Sequence, residues 1–425
     1  MSNENHKKKK TQDDKKNPFT TSKKKKAARS KEIASKQQSV NQTPGSDTPE
    51  KDLAEGELVL HPKDPQVNPL QQPVLKDLVN HIMKNGIPKL QAEYATLAKY
   101  KPPNMTREVQ NANKKLCRYK DVSCWDQTRI KLVFPLNSQN DFIHANYVNH
   151  PLFKNKFICT QGPMEHTVLD FWRLVWQESV TVIIMLCQCF ELKKPKCAQY
   201  WPTVVHTPKQ VGPFSITADD IKTDDPNVTV TDLKLEFGGD VRRVEHYHWV
   251  TWPDKTVPKN ASIAFRLLVN PRDYTANPSV IHCSAGVGRT GTLLMLEAMF
   301  QHIQNFRPVD VPELLKQLRA QRSQLIQTED QYVFIHYAMV QYAFMTRTVT
   351  LNECQKFFAA YSKYLKEFAE ETKAKQTAKK KKKKPVKATR RKEHKEDKKE
   401  EKKELDTYFS LHNYEDDSSS SDSKK

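Results

Sequence analysis

Glycine is scarce, with ten in 425 residues. Because glycine is used where backbone needs φ > 0 or close approach to a ligand, a cluster of it marks a loop built around something. Long apolar runs are missing as well. None reaches the roughly 18 residues of a membrane-spanning helix, and no apolar region follows the lysine-rich N-terminus. That excludes a spanning helix and the pattern of an export signal. The eight cysteines, from Cys117 to Cys354, lack the density of a disulfide scaffold. Without an export signal they are expected to stay reduced. The lysine runs are not interleaved with aromatics, which argues against base stacking on nucleic acid.

Positive charge is in excess, at a formal +20. Residues 1–50 carry 13 basic and 6 acidic side chains, and residues 373–425 carry 19 and 11, so the two ends hold +15 of it. "KKKK" at 7–10 and 23–26, "KKKKKK" at 379–384 and the closing "DDSSSSDSKK" are low-complexity segments that cannot bury a core. All six tryptophans lie between Trp125 and Trp252. The middle of the chain, about 270 residues, therefore reads as one globular domain.

Three of the ten glycines fall inside "VIHCSAGVGRTGTLLMLEAM", residues 280–299. "SVIHC" reads as a short buried strand, and "TGTLLMLEAMF", with Leu293, Leu296 and Phe300 at helical spacing, reads as a helix. Strand, tight loop and helix turn the amides of Ser284, Ala285, Gly286, Val287 and Gly288 inward over the positive end of a helix dipole, a nest for phosphate. Cys283 at its rim, beside Arg289, would have its pKa lowered from about 8.5 into roughly the 3.5–7.5 range. It would then be a nucleophile at neutral pH. Arg289 offers a planar fork to two phosphate oxygens. A nucleotide loop would need Gly-Lys-Ser/Thr, and there is no lysine here. The alternative, a buried cysteine beside a capping loop, explains neither the arginine nor the glycines.

Attack on a phosphate ester also needs a proton donor for the leaving oxygen. "HWVTWPDKTVP", residues 248–258, places Asp254 between two prolines on a loop that Trp252 can anchor. A carboxylic acid on such a lid can approach a bound phosphate when the lid closes. By composition alone the segment reads more readily as a plain surface turn than as a lid.

Trp252-Pro253-Asp254 followed by the segment from His282 to Gly291 closely resembles the tyrosine-specific, cysteine-dependent protein tyrosine phosphatases of non-receptor type. "CRYKDVSCWDQTRIKL", "NDFIHANYV", "FICTQGPMEHTVLDFWRLVWQES", "FELKKPKCAQYWP" and "QRSQLIQTEDQYVFIHYA" extend the resemblance from about Leu75 to Phe344. It implies an α/β fold, a single catalytic domain with a highly twisted mixed sheet flanked by helices, plus disordered basic tails. The chain then divides into an N-terminal tail 1–73, the catalytic domain 74–345, an amphipathic helix 346–372, and a tail 373–425. The implied reaction is hydrolysis of phosphotyrosine in proteins through a cysteinyl-phosphate, with neither metal nor cofactor.

The family's roles pass to matching positions. Cys283 attacks phosphorus, while Arg289 and the loop amides hold the equatorial oxygens. Asp254 protonates the tyrosyl oxygen and then serves as base toward water. Gln327 and Gln331 position that water and contact the phosphoryl group. Thr290 assists departure of the thiolate, and His282 tunes it. Glu191 orients the arginine, and Lys196 steadies the closed aspartate. Tyr119 forms the aromatic wall that makes the cleft too deep for phosphoserine. Asp121 accepts backbone N–H groups of the substrate peptide, and Lys120 favours acidic residues beside the phosphotyrosine.

The chain departs from the family at Cys124-Trp125, where proline and an aromatic are usual, and at His144 and Asn146, which replace asparagine and a small residue. These positions are expected near the loop that shapes the pocket, bearing on substrate range more than on catalysis. The intact phosphate loop and lid point to an enzyme rather than a phosphotyrosine-binding trap. Cys187 and Cys189 flank the end of a buried strand and, with Cys197, are read as structural rather than as a zinc site. The lysine-rich tails around one catalytic domain also resemble the tyrosine phosphatases of insect polydnaviruses (bracoviruses), which implies interference with host phosphotyrosine signalling. "KKKKKKPVKATRRK", residues 379–392, reads first as a solvated tail that only aids solubility, and it also suits nuclear import receptors or an anionic surface of RNA or acidic lipid. The expected location is intracellular, cytoplasmic and/or nuclear, and in the host cell if the protein is viral.

Overall fold

The computed structural model describes residues 66–135, 140–252, 256–258 and 260–382. The expected tails fall largely outside these residues. A 3₁₀ turn, Pro69–Gln71, capped by the Asn68 side chain, leads into α1 (Gln72–Leu97), slightly ahead of the boundary expected at 74. Leu75, Leu78, Val79 and Ile82, then Ile87, Leu90, Tyr94 and Leu97, are buried on α1. Gly86 (φ 66°, ψ 174°) kinks the helix between these two sets, one residue before the Ile87-Pro88 pair.

Then follow α2 (Glu108–Ala112), β1 (Arg129–Lys131), β2 (Phe142–Val148), β3 (Phe157–Thr160), α3 (Val168–Gln177) and β4 (Val182–Met185). A small hairpin, β5 (Phe190–Glu191) and β6 (Lys194–Pro195), precedes the meander β7 (Lys209–Val211), β8 (Phe214–Asp225), β9 (Val228–Phe237) and β10 (Asp240–Trp249). Gly238 and Gly239, with φ of 61° and 92°, make the two-residue turn between β9 and β10. The chain continues through α4 (Ser262–Leu267), β11 (Ser279–His282), α5 (Gly288–Gln304), α6 (Val311–Arg319), α7 (Glu329–Met345) and α8 (Leu351–Lys382).

The main sheet runs β1-β2-β3-β11-β4-β10-β9-β8-β7. β3, β11, β4 and β10 are parallel and the remaining pairings antiparallel, so the sheet is mixed and helices flank it. All residues of β3, β4 and β11 are buried, as parallel strands covered on both faces require. β9 instead alternates buried and partly buried positions over its middle. β11 lies between β3 and β4, so its C-terminal end opens at the centre of the sheet, where ligands bind in such folds. α5, which follows, is buried along nearly its whole length.

α8 extends past the expected end at residue 372 and reaches Lys382. Its continuation, KAKQTAKKKK, is rich in Lys and Ala, both good helix formers, and Pro385 lies just beyond. Cys354, Phe357, Phe358, Tyr361 and Tyr364 form its buried stripe, with Tyr361 stacked on Tyr337 of α7 at 3.9 Å between ring centroids.

Candidate active site

Three glycines shape the loop between β11 and α5. Gly286 has φ +69°, and a Cβ there would stand 2.0 Å from Thr160 O. Any side chain would therefore force the loop off β3. At Gly291 a Cβ would lie 2.4 Å from the backbone N of Ile326, so α5 and the 322–328 segment meet backbone to backbone. A Cβ at Gly288 would meet the Gln331 carboxamide at 2.9 Å.

Cys283 follows the last residue of β11 and is buried, and the N–H of Gly286 points at its Sγ from 3.2 Å. Burial pushes the thiol's pKa up, but Arg289, the hydroxyl and N–H of Thr290 and the Gly286 N–H outweigh it, leaving the pKa below the ordinary thiol value. Among the described residues, the buried Thr290 Oγ1 has no other hydrogen-bond partner. Arg289 Nη1 donates to Leu186 O at 2.7 Å and to Glu191 Oε1 at 2.6 Å, and Nη2 donates to Glu191 Oε2 at 2.9 Å. The carboxylate on the β5–β6 hairpin thus clamps the guanidinium in a two-point, charge-assisted pairing.

His282 is fully buried, and its ring meets Cys283 only at the Cys283 backbone carbonyl. Its Nδ1 lies 3.2 Å from Cys283 O, and its Nε2 lies 2.8 Å from the hydroxyl of Tyr200. A carbonyl can only accept, so Nδ1 carries the proton and Nε2 accepts from Tyr200, whose oxygen accepts in turn from His246 Nε2 at 2.7 Å. Burial pushes the His282 pKa down to about 3, so the ring stays neutral.

On the substrate side, the Tyr119 hydroxyl lies 2.9 Å from Ser284 Oγ, and Ser284 Oγ donates to Lys196 O at 2.9 Å. The half-buried Tyr119 therefore stands against the phosphate loop, while Lys120 and Asp121 are exposed beside it. Gln324 Nε2 donates to Asp121 O at 2.7 Å, closing that rim. Gln331 Oε1 accepts from the exposed Gln327's backbone N–H at 2.9 Å. Trp252 is buried, edge-on to Trp249, and its Nε1 donates to Thr256 O at 3.2 Å across the base of the lid. Asp254 lies outside the described residues, so its approach to Cys283 and to Lys196 is not described.

The departures lie close to the 119–121 and phosphate loops. His144 and Asn146 are buried in β2, beneath the phosphate loop, with His144 Nε2 3.1 Å from Val122 O. Both bind Arg322, a fully buried arginine that sequence reasoning passed over because one arginine in "QRSQLIQ" carries no local signal. Cys124 is buried with its Sγ toward Ala145 O, and Trp125 Nε1 donates to Arg319 O at 2.9 Å, so these two also support the core.

A family profile described as Protein-tyrosine phosphatase matches residues 113–341. Tyrosine-protein phosphatase non-receptor type 12 of Homo sapiens is 34% identical over 262 residues, 60% of this chain and 33% of that protein. Phosphatidylinositol phosphatase PTPRQ of Rattus norvegicus is 35% identical over 277 residues, 64% of this chain and 12% of that protein. The chain thus spans a third or less of the length of these two relatives. The crystal structure of the catalytic domain of human protein tyrosine phosphatase non-receptor type 18 superposes with a TM-score of 0.56 at 30% identity, covering 63% of this chain and 99% of that one. The profile takes in more than half of the chain, including the strand, the thiol loop and the buried helix behind it; the chain belongs to the protein-tyrosine phosphatase family.

Proposed function

We propose that this chain hydrolyses phosphotyrosine in proteins, with Cys283 as nucleophile, Arg289 and the loop amides as the phosphate clamp, and Asp254 as general acid and then base. The observation that carries the reading is the buried thiol, its pKa held down by Arg289 and Thr290, facing the Gly286 amide while Glu191 fixes the arginine. That thiolate attacks phosphorus and expels the tyrosyl oxygen, and water then hydrolyses the cysteinyl-phosphate. Gln327 and Gln331 serve the water step, Thr290 the departure of sulfur, and Lys196 the closed lid. The test is vanadate-sensitive release of phosphate from a phosphotyrosyl peptide by the purified protein; no release sinks the reading.

Substrate class rests on Tyr119 beside Ser284. A phosphotyrosyl peptide should be cleaved far faster than the phosphoseryl peptide of the same sequence, and Tyr119→Ala should lose much of that preference. Equal rates on both peptides would place the enzyme in the dual-specificity class. One relative is named a phosphatidylinositol phosphatase, which makes inositol phospholipid the competing substrate. Faster turnover of such lipid in vesicles than of the peptide would favour it.

The basic ends are assigned to targeting, through import receptors or an anionic surface of RNA or acidic lipid. Beyond Tyr364 no described side chain of α8 is buried. Removing residues 373–425 should therefore leave hydrolysis in vitro nearly unchanged and alter distribution in the cell, read by activity and by microscopy of tagged protein. Lost activity would show that the segment packs on the domain, and unchanged distribution would leave it a solubility aid. The finer reading, a viral enzyme acting on host phosphotyrosine, rests on the same lysine-rich ends. Expressed in insect cells, the protein should lower cellular phosphotyrosine where Cys283→Ser does not, and equal levels would count against it.

A further inference from the structure

Arg322 lies beneath the phosphate loop with none of its surface exposed. Its Nη2 donates to Ala285 O at 3.1 Å, its Nε to Gly286 O at 3.2 Å and its Nη1 to Asn146 Oδ1 at 2.8 Å. Nη2 also lies 3.2 Å from His144 Nδ1. Among the described residues no carboxylate pairs with it, so its geometry depends on these neutral acceptors. A guanidinium only donates, which fixes His144 Nδ1 as the acceptor and leaves the ring proton on Nε2. That proton goes to Val122 O, 3.1 Å away and next to Asp121. Burial and the neighbouring Arg322 push the His144 pKa down to about 3, so this tautomer holds across the working pH range.

The two ends of one peptide unit carry the consequence. Ala285 C=O and Gly286 N–H belong to the same trans peptide and point in opposite directions. Drawing the carbonyl down to Arg322 Nη2 aims the N–H up at Cys283 Sγ, 3.2 Å away. The nitrogen that holds the carbonyl is the one His144 holds. We propose that His144 is a positioning residue for catalysis: through Arg322 it sets the Ala285–Gly286 peptide that stabilises the Cys283 thiolate, and through Val122 it ties the 119–121 recognition loop to the same anchor. This rests on the reading of the loop as the catalytic phosphate site, and it assigns to catalysis a position where the chain departs from its family.

The test is alkylation of Cys283 by iodoacetate as a function of pH, read at the Cys283 peptide by mass spectrometry, alongside steady-state kinetics on a phosphotyrosyl peptide. His144→Leu keeps the bulk and removes both hydrogen bonds. It should raise the alkylation midpoint so that the rate on its acid side falls about tenfold, one unit of thiol pKa. kcat should fall about tenfold or more, the loss expected for a misaimed hydrogen bond to a charged group, and KM should rise as Val122 is released. His144→Asn, which keeps one donor and one acceptor, should recover most of both. Arg322→Lys retains the charge, loses the fork and should show the same rise in midpoint, which keeps the test available should His144→Leu not fold. A lowered melting temperature with unchanged alkylation profile and kcat in both variants would make His144 a packing residue and overturn the proposal. An ordinary thiol profile in the unsubstituted protein would overturn both this and the reading of the loop, whereas a depressed midpoint that neither substitution moves overturns this alone.

Discussion

Cys283→Ser should abolish turnover of phosphotyrosyl peptides while leaving the protein folded and able to bind phosphotyrosine. The reason is in the balance at the sulfur. Burial alone would keep a thiol protonated, and Arg289, Thr290 and the Gly286 amide reverse that. A serine hydroxyl in the same place starts from a far higher pKa, so the same groups cannot ionise it, and the attacking anion is lost. The phosphate clamp is untouched, because Arg289 is held by Glu191 and Leu186 O rather than by Cys283. Two measurements decide it: phosphate release, expected at background, and capture of a phosphotyrosyl peptide, expected to persist. Substantial residual hydrolysis in the serine variant would remove Cys283 from the mechanism. Loss of both activity and capture, with the fold intact, would show that the thiolate itself is needed to shape the clamp.

Asp254→Ala should slow hydrolysis of phosphotyrosyl peptides by about 10²–10⁴, the usual contribution of a positioned general acid. The diagnostic is the leaving group. An aryl phosphate whose phenol is already acidic departs without a proton, so its loss should be much smaller than that of the peptide. Equal losses on the two substrates would argue against Asp254 as the acid. Asp254 lies outside the described residues, and the prediction stands on the sequence of the lid together with its buried base. There Trp252 packs edge-on to Trp249, and its Nε1 donates to Thr256 O.

Much of the site could be read locally. A strand ending in Cys283, three glycines and Arg289 at the sixth position after it describe a phosphate nest within ten residues, and β11 and α5 fall where that pattern puts them. The helix expected over 346–372 is present as α8 from Leu351, and it runs on to Lys382 because the Lys, Ala and Gln residues after 372 carry no apolar period to mark an end. The Gly238-Gly239 turn is equally local, since positive φ at both positions is a property of the residues themselves.

What the sequence determined by itself is therefore the chemistry within reach of one short segment, a thiol, a cation and the glycines of a tight loop, along with the charge of the ends; Asp254 and Tyr119 came from the resemblance. The tertiary structure decided which distant groups hold that segment in shape. Glu191 reaches Arg289 from 98 residues away, Arg322 reaches Asn146 across 176 and His144 across 178. Such partners leave no trace in spacing, because the β-sheet order that places β2 and β11 on either side of β3 is set by packing of the whole core. The same reason explains His144 and Asn146. In the chain they look like substitutions near a pocket, and only the fold turns their side chains beneath the loop, where a buried cation needs neutral acceptors.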